Sequence, residues 1–259
     1  MHNLFTIVKE TNHIVRVELT NGQKHNPLSL ELIISLTKAL KQISLQDKVK
    51  VIIISSEGPG FSAGHDLGEL RQNKNNKEFF KTLFDECSNL MQTIMTLPQP
   101  VIAEVCGIAA AAGCQLVASC DLAVASEQSS FMTPGVNIGL FCSTPMVAVS
   151  RNLSRKKIME MLLTGEKLNA ADAVQYGLVN YSVPLDQLQM KTLNLAKLIA
   201  SKPVSTVKIG KEAFYKQVEM PVGEAYNYTS EVMAQNMMEI DAHEGISAFL
   251  EKRNPRWNE

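Results

Sequence analysis

Residues 49 to 55 read VKVIIIS, an almost unbroken Val/Ile run. A strand with one face in water alternates apolar and polar side chains; this one does not, so it must be covered on both faces, as strands of a parallel sheet are. The flanking sequence supplies the cover. Between Leu28 and Ile43 apolar residues recur at Leu32, Ile33, Leu36, Leu40 and Ile43, the helical spacing, with Ser29 near the start as a capping residue. A second helix is predicted from Glu78 to Thr96, ended by Pro98 and Pro100. Val101 to Val105 then reads as a strand, Cys114 to Cys120 as a helix and Leu122 to Ala125 as a strand again. Alternation at this spacing implies right-handed β-α-β crossovers and an α/β fold with a largely parallel sheet. Ahead of it, Phe5 to Val8 and Ile14 to Leu19 read as a hairpin around Thr11-Asn12-His13. Beyond Ser201 only helical segments are predicted, Ser205 to Gln217, Val222 to Met238 and His243 to Lys252.

At 259 residues, 45% of them apolar and 20% charged, the chain is long enough for one large domain or a domain with a helical appendage. A formal net charge of −1 supplies no global attraction to nucleic acid or to a membrane surface. The basic stretch Lys38, Lys41, Lys48 and Lys50 reads as the solvated side of a helix and the turn after it. Five scattered cysteines, Cys87, Cys106, Cys114, Cys120 and Cys142, form neither a disulfide framework nor a paired zinc motif, and they suit a reducing compartment. No metal site is expected. No apolar stretch reaches the ~18 residues of a membrane span. No signal or Arg-rich transit segment precedes Leu4, and Met1-His2 fits the start of a trimmed mature form.

Two short runs carry the chemistry. In FSAGHDL, Phe61 to Leu67, a glycine after a buried strand can turn backbone N–H groups outward, and Asp66 is placed to cap a following helix. In GIAAAAGCQLVASCD, Gly107 to Asp121, small residues lead into a helix whose first N–H groups have no partner in the helix itself. Asp121 reads as structural. Ser143 and Thr144 read as the cap, and Pro145 as the first residue, of a later helix. Cys142 reads as a wall position without a neighbouring base, and the methionines at Met159 to Met161 and Met233 to Met238 as packing residues.

Together the two runs resemble the signature of the enoyl-CoA hydratase/isomerase (crotonase) superfamily, and the ending EGISAFLEKRNPRW is similar to that family's terminal pattern. The resemblance covers almost the whole chain. It implies a crotonase-like ββα spiral core over residues 1–200 and a C-terminal helical region, 201–259, that covers the site and builds a trimer or a doubled trimer. It implies a coenzyme A thioester as substrate or ligand, no further cofactor, a role in fatty-acid metabolism, and the mitochondrial matrix as location. It places the oxyanion-hole N–H donors at His65 and Ala112, the ligand-binding loop at Ala63, His65, Asp66 and Leu67, and a lysine reaching a neighbouring subunit's CoA phosphates at Lys252.

The same resemblance exposes a departure. The family keeps glutamates where this chain has Gln115 and Gly135, and a third acid position used by some relatives falls near Ser143. Hydration of a conjugated thioester needs groups that take and give protons, which an amide cannot do. The expectation is therefore an acyl-CoA-binding, hydratase-like protein with weak or no hydratase activity. Two alternatives stand beside it. One is a non-catalytic acyl-CoA-binding regulator. The other is a malonyl-type acyl-CoA decarboxylase, to which GHD at Gly64 to Asp66 and MTPGVNIG from Met132 are similar, with His65 as acid, base or carboxylate-positioning donor. The tyrosine that some of those enzymes carry after this run is absent, Phe141 and Cys142 standing there. An RNA-binding role is opposed by the charge balance.

Overall fold

The computed structural model describes residues 4–258; the reading of Met1-His2 lies outside them. Ten strands are assigned among these residues, β1 Phe5–Lys9, β2 Ile14–Leu19, β3 Val51–Ser56, β4 Gly60–Ser62, β5 Val101–Val105, β6 Ile108–Ala110, β7 Leu122–Ser126, β8 Ser130–Met132, β9 Leu168–Asn169 and β10 Tyr181–Val183. The helices are α1 Leu30–Ser44, α2 Leu67–Gln72, α3 Lys77–Thr96, α4 Ala112–Ser119, α5 Pro145–Val149, α6 Arg155–Thr164, α7 Ala170–Tyr176, α8 Leu188–Ala200, α9 Val204–Gln217, α10 Val222–Met237 and α11 Ile240–Leu250. None of them is long and apolar enough to cross a membrane.

The strands form two sheets, one of six strands in the order β1-β2-β3-β5-β7-β10 and one of four in the order β4-β6-β8-β9. The Val/Ile run sits at the centre of the large sheet, parallel to β2 on one side and β5 on the other. Its alternate residues face two cores. Ile52 and Ile54 pack with Leu32, Leu36, Leu90 and Ile94 beneath α1 and α3, while Val51 and Ile53 pack with Ile102, Val124, Leu188 and Ala196 beneath α8. Each fully buried side chain of this size contributes roughly 1.5–3 kcal/mol of transfer free energy. The β1–β2 hairpin and the Ser29 cap, which accepts from the Leu32 N–H, are as predicted.

The small sheet positions the site. Each of β3, β5 and β7 runs on, after a tight connection, into β4, β6 or β8, and these three short strands lie side by side and parallel. A ligand crevice beyond the carboxyl ends of parallel strands is the usual outcome of such winding. Here the segments leaving those ends are Ala63–Asp66, Ala111–Gly113 and Thr133–Gly135.

Side chains of α9 tie the C-terminal helices to the core. Lys211 of α9 donates to Asp121 at 2.6 Å and to the carbonyls of Gln99 and Ile94, and the Tyr215 hydroxyl donates to the other Asp121 oxygen at 3.0 Å. Asp121 also accepts from the Val101 N–H at 2.7 Å, so it is a structural hub as predicted. The terminal pattern makes its own clasp: Arg253 grips Glu244, which accepts from the Arg256 N–H as well, and these contacts hold the Glu244 carboxyl down to about 2. Lys252 is left exposed, with φ +56. Of the methionines, Met161 is core, whereas Met159, Met233, Met237 and Met238 are exposed.

The predicted cap at Ser143 and Thr144 is not made. Pro145 does open α5, but Thr144 has a helical backbone (φ −75, ψ −42) in place of the extended one a capping hydroxyl needs. The Ser143 hydroxyl turns to the Phe141 carbonyl at 3.4 Å.

Candidate functional site

A cavity of about 420 Å³ opens beyond the ends of the small-sheet strands. One wall is made by Ala63, His65, Ala111 and Ala112, the facing wall by Gly135 and the segment from Leu140 to Pro145, with Leu67, Leu70 and Phe84 adding apolar surface. Of the residues assigned to the site from sequence, Ala63, His65, Leu67, Ala112 and Gly135 meet in this lining. Asp66, Gln115 and Lys252 do not, and no residue of the C-terminal helices contributes within one chain.

The donor wall is fixed by close backbone approach. Gly64 has φ +88, and a Cβ built there would lie 2.9 Å from the Ala110 carbonyl oxygen and 3.3 Å from the Ala112 nitrogen, so the loop lies directly against the start of α4. A Cβ on Gly113 would stand 2.4 Å from the Ser62 carbonyl oxygen. Asp66, which the resemblance assigned to the ligand-binding loop, is not in the lining; its carboxylate accepts from the Gly68 and Glu69 N–H groups and caps α2, and only that cap is as predicted. Ala111 precedes α4 with φ +48 and ψ −115, an unfavourable conformation for a residue with a side chain. Its N–H donates to the Met132 carbonyl at 2.9 Å and its carbonyl accepts from the Gln115 N–H at 3.0 Å, bonds that hold it there. The turn and cap hydrogen bonds that tie these loops leave the N–H groups of His65 and Ala112 without a backbone acceptor among the described residues.

His65 carries the wall's one ionisable group. Its Nδ1 lies 3.3 Å from the Leu28 carbonyl oxygen, its ring stands edge-on to Phe84 with centroids 5.4 Å apart, and its Nε2 is buried without a hydrogen-bond partner. Burial lowers its pKa below the ordinary imidazole value, an effect the Leu28 contact offsets only in part.

Neither Gln115 nor Gly135 offers a carboxyl. Gln115 is buried beneath the wall, where its Oε1 lies 3.9 Å from the Cys87 sulfur, a thiol that burial pushes up to about 12. Gly135 lines the cavity, but a Cβ on it would meet the Leu140 carbonyl oxygen at 2.7 Å and the Cys142 sulfur at 2.9 Å. The obstacle to a side chain at 135 is thus the returning 140–142 segment, since its φ lies outside the left-handed range. The Cys142 thiol, also raised by burial, occupies the space where such a side chain would begin. Among the described residues, no Asp or Glu lines the cavity. Two contributors were invisible in the sequence: Phe84, which only continues the α3 pattern, and the Leu28 carbonyl, which carries no side-chain signal.

A model of the enoyl-CoA hydratase/isomerase family matches residues 9–259. Among curated proteins, human enoyl-CoA hydratase domain-containing protein 3, mitochondrial, is 48% identical over 253 residues, covering 98% of this chain and 83% of that protein. The 2,3-dehydroadipyl-CoA hydratase of Escherichia coli is 28% identical over 250 residues, 96% of each chain. Among solved structures, an enoyl-CoA hydratase from Mycobacterium smegmatis superposes with a TM-score of 0.96 at 43% identity, covering 99% of both chains. The human domain-containing protein 3 superposes with 0.95 at 47% identity, covering 98% of this chain and all of that one. Sequence, winding and neighbours agree: the chain belongs to the enoyl-CoA hydratase/isomerase, or crotonase, family and resembles its domain-containing protein 3 branch.

Proposed function

We propose that this chain binds an acyl-CoA thioester of fatty-acid metabolism, with the thioester oxygen held by the N–H groups of His65 and Ala112, and that its hydratase activity is weak or absent. The observation that carries this reading is a cavity whose lining, among the described residues, includes His65 and Ala112 with backbone N–H groups that make no hydrogen bond, and holds no carboxylate. Such a site can stabilise negative charge developing on the thioester oxygen, a contribution of about 3 kcal/mol per donor in acyl-transfer enzymes. It lacks the base that would take a proton from water and the acid that would return one to the α carbon. Mitochondrial residence is part of the proposal, since six similar curated proteins bear that word in their names. So are a trimer or hexamer, supported by apolar residues left open on α10 and α11 such as Val222, Tyr226, Ile240 and Phe249, and a role for exposed Lys252 at the CoA phosphates.

Catalytic silence and catalysis are separated by one experiment. Crotonyl-CoA hydration is expected to be slower than in a glutamate-bearing relative by about 10²–10⁴, the share of one positioned acid–base group, while the thioester still binds. Ordinary hydratase turnover, or failure of any acyl-CoA to bind, overturns the reading. The malonyl-type decarboxylase alternative is the weaker one, because burial lowers the His65 pKa and so opposes the charged imidazole that would pair with a substrate carboxylate.

A further inference from the structure

Apolar packing stops short of the C-terminal segment. Neither core cluster includes a residue beyond Ala200, and in α9, α10 and α11 only Ala213, Asp241 and Ala248 are buried. The segment is instead tied to itself. The Ser205 hydroxyl donates to Asp241 at 3.3 Å, Asp241 accepts from the Asn258 N–H at 2.8 Å, and the Trp257 indole donates at 2.9 Å to the Ser201 carbonyl, in the turn that leads to α9. The seam with the core is incompletely filled, a cavity of about 30 Å³ lying between Pro98 and Pro100 on one side and Val204 and Val207 on the other. Polar bonds join the two sides. The Lys211 ammonium directs all three of its protons at core acceptors, Asp121 and the carbonyls of Gln99 and Ile94, from a side chain only 7% exposed. Burial pulls the Lys211 pKa below that of a free lysine, and the Asp121 carboxylate offsets this only in part.

We propose that residues 204–258 form a strap that leaves the core as one unit while the core stays folded, with Lys211 as the pin that sets how readily it leaves. A segment with few buried apolar side chains belongs to the low-stability end of a fold. Removing one partner of a buried ion pair is costly because the other is stranded, so a strap held in this way responds steeply to its pin. The pin engages at the entry of β5 and β7, beside Val101 and Asp121, the opposite end from the cavity, and the strap contributes nothing to the cavity lining. Its release therefore needs no change in the donor wall, and the inference stands apart from the acyl-CoA reading.

The test is native-state hydrogen exchange followed by mass spectrometry in low denaturant. In the wild type, α9, α10 and α11 are expected to exchange together, at least about tenfold faster than β3 and β5. Lys211→Met speeds exchange of the strap by at least about a hundredfold. Tyr215→Phe, which removes one hydrogen bond to Asp121, speeds it about three- to tenfold and keeps the test decisive if the lysine variant does not fold. Ile53→Val, a change inside the sheet core, speeds β3 and β5 by a similar factor and leaves the strap as it was, because strap release does not expose that side chain. Exchange of strap and sheet in a single event in the wild type overturns the proposal. So does acceleration of the strap by Ile53→Val, or its indifference to both pin variants.

Discussion

Ala112 and Gly135 both lie a few residues past the end of a small-sheet strand and both line the cavity, yet what each can contribute differs. At 112 the proposed role rests on a backbone N–H, which alanine carries as well as glycine would. At 135 an acid would have to come from a side chain, which glycine lacks, and the 140–142 segment fills the space where one would begin. Function carried by backbone survives side-chain change if the local geometry survives. Function carried by a carboxyl ends with the carboxyl. The glycine-rich run before α4 makes the same point at finer grain. Ala111 and Ala112 carry side chains there, whereas Gly113 is the position whose Cβ would strike the Ser62 carbonyl.

That ordering can be broken experimentally, and the largest expected effect is at that glycine. Gly113→Ala should destabilise by about 3 kcal/mol or more, because the clash is with backbone that has no rotamer to escape into. Denaturant unfolding measures it, and a loss below about 1 kcal/mol would show that the donor wall is not fixed by this contact. Next come the acids. Gly135→Glu should cost about 1–3 kcal/mol by displacing the 140–142 segment. Gln115→Glu alone should leave crotonyl-CoA hydration within about tenfold of wild type, since a buried carboxyl without a charged partner stays protonated. The double variant should be faster than either single, as base and acid act on one transition state; recovery of ordinary turnover by one change alone would contradict the comparison.

Ala111→Gly is expected to be neutral or stabilising, by up to about 1 kcal/mol, since glycine adopts φ +48 without strain. A clear loss would mean that the Ala111 methyl packs better than its backbone suffers. The smallest effect is in the pH dependence. His65 has a lowered folded-state pKa, so below its ordinary value of 6.5 the unfolded chain binds the proton more readily than the folded one. Stability is therefore full above pH 6.5 and falls as pH drops below it. The slope is bounded by about 1.4 kcal/mol per pH unit. His65→Phe should flatten the thermal-unfolding profile between pH 7.5 and 5.5, and an unchanged profile would mean the imidazole is not desolvated.

Much of the fold was legible. The unalternating Val49–Ser55 run, the helical spacing of Leu28–Ile43 and the three terminal helices stand within a few residues of prediction, because long periodic segments report which face is buried. The strands β4, β6 and β8 were not read individually. Three residues cannot display a period, and the propensity of GFS, IAA or SFM is overridden by winding. Asp66 was legible as a cap because capping is local, whereas the Thr144 cap failed because tertiary packing set its backbone dihedrals.

The sequence by itself determined the family, the residues Gln115 and Gly135 and the presence of glycine where backbone must pass close to backbone. Those are properties of residue type and spacing. Tertiary structure alone decided which atoms share the cavity: that Gln115 lies outside its lining, that the Cys142 sulfur stands where a side chain at 135 would begin, and that a carbonyl 37 residues upstream meets the His65 ring, whose other nitrogen is buried and unpaired among the described residues. The reason is that hydrogen bonding and steric exclusion act at ~3 Å between atoms whose separation along the chain carries no information about their meeting.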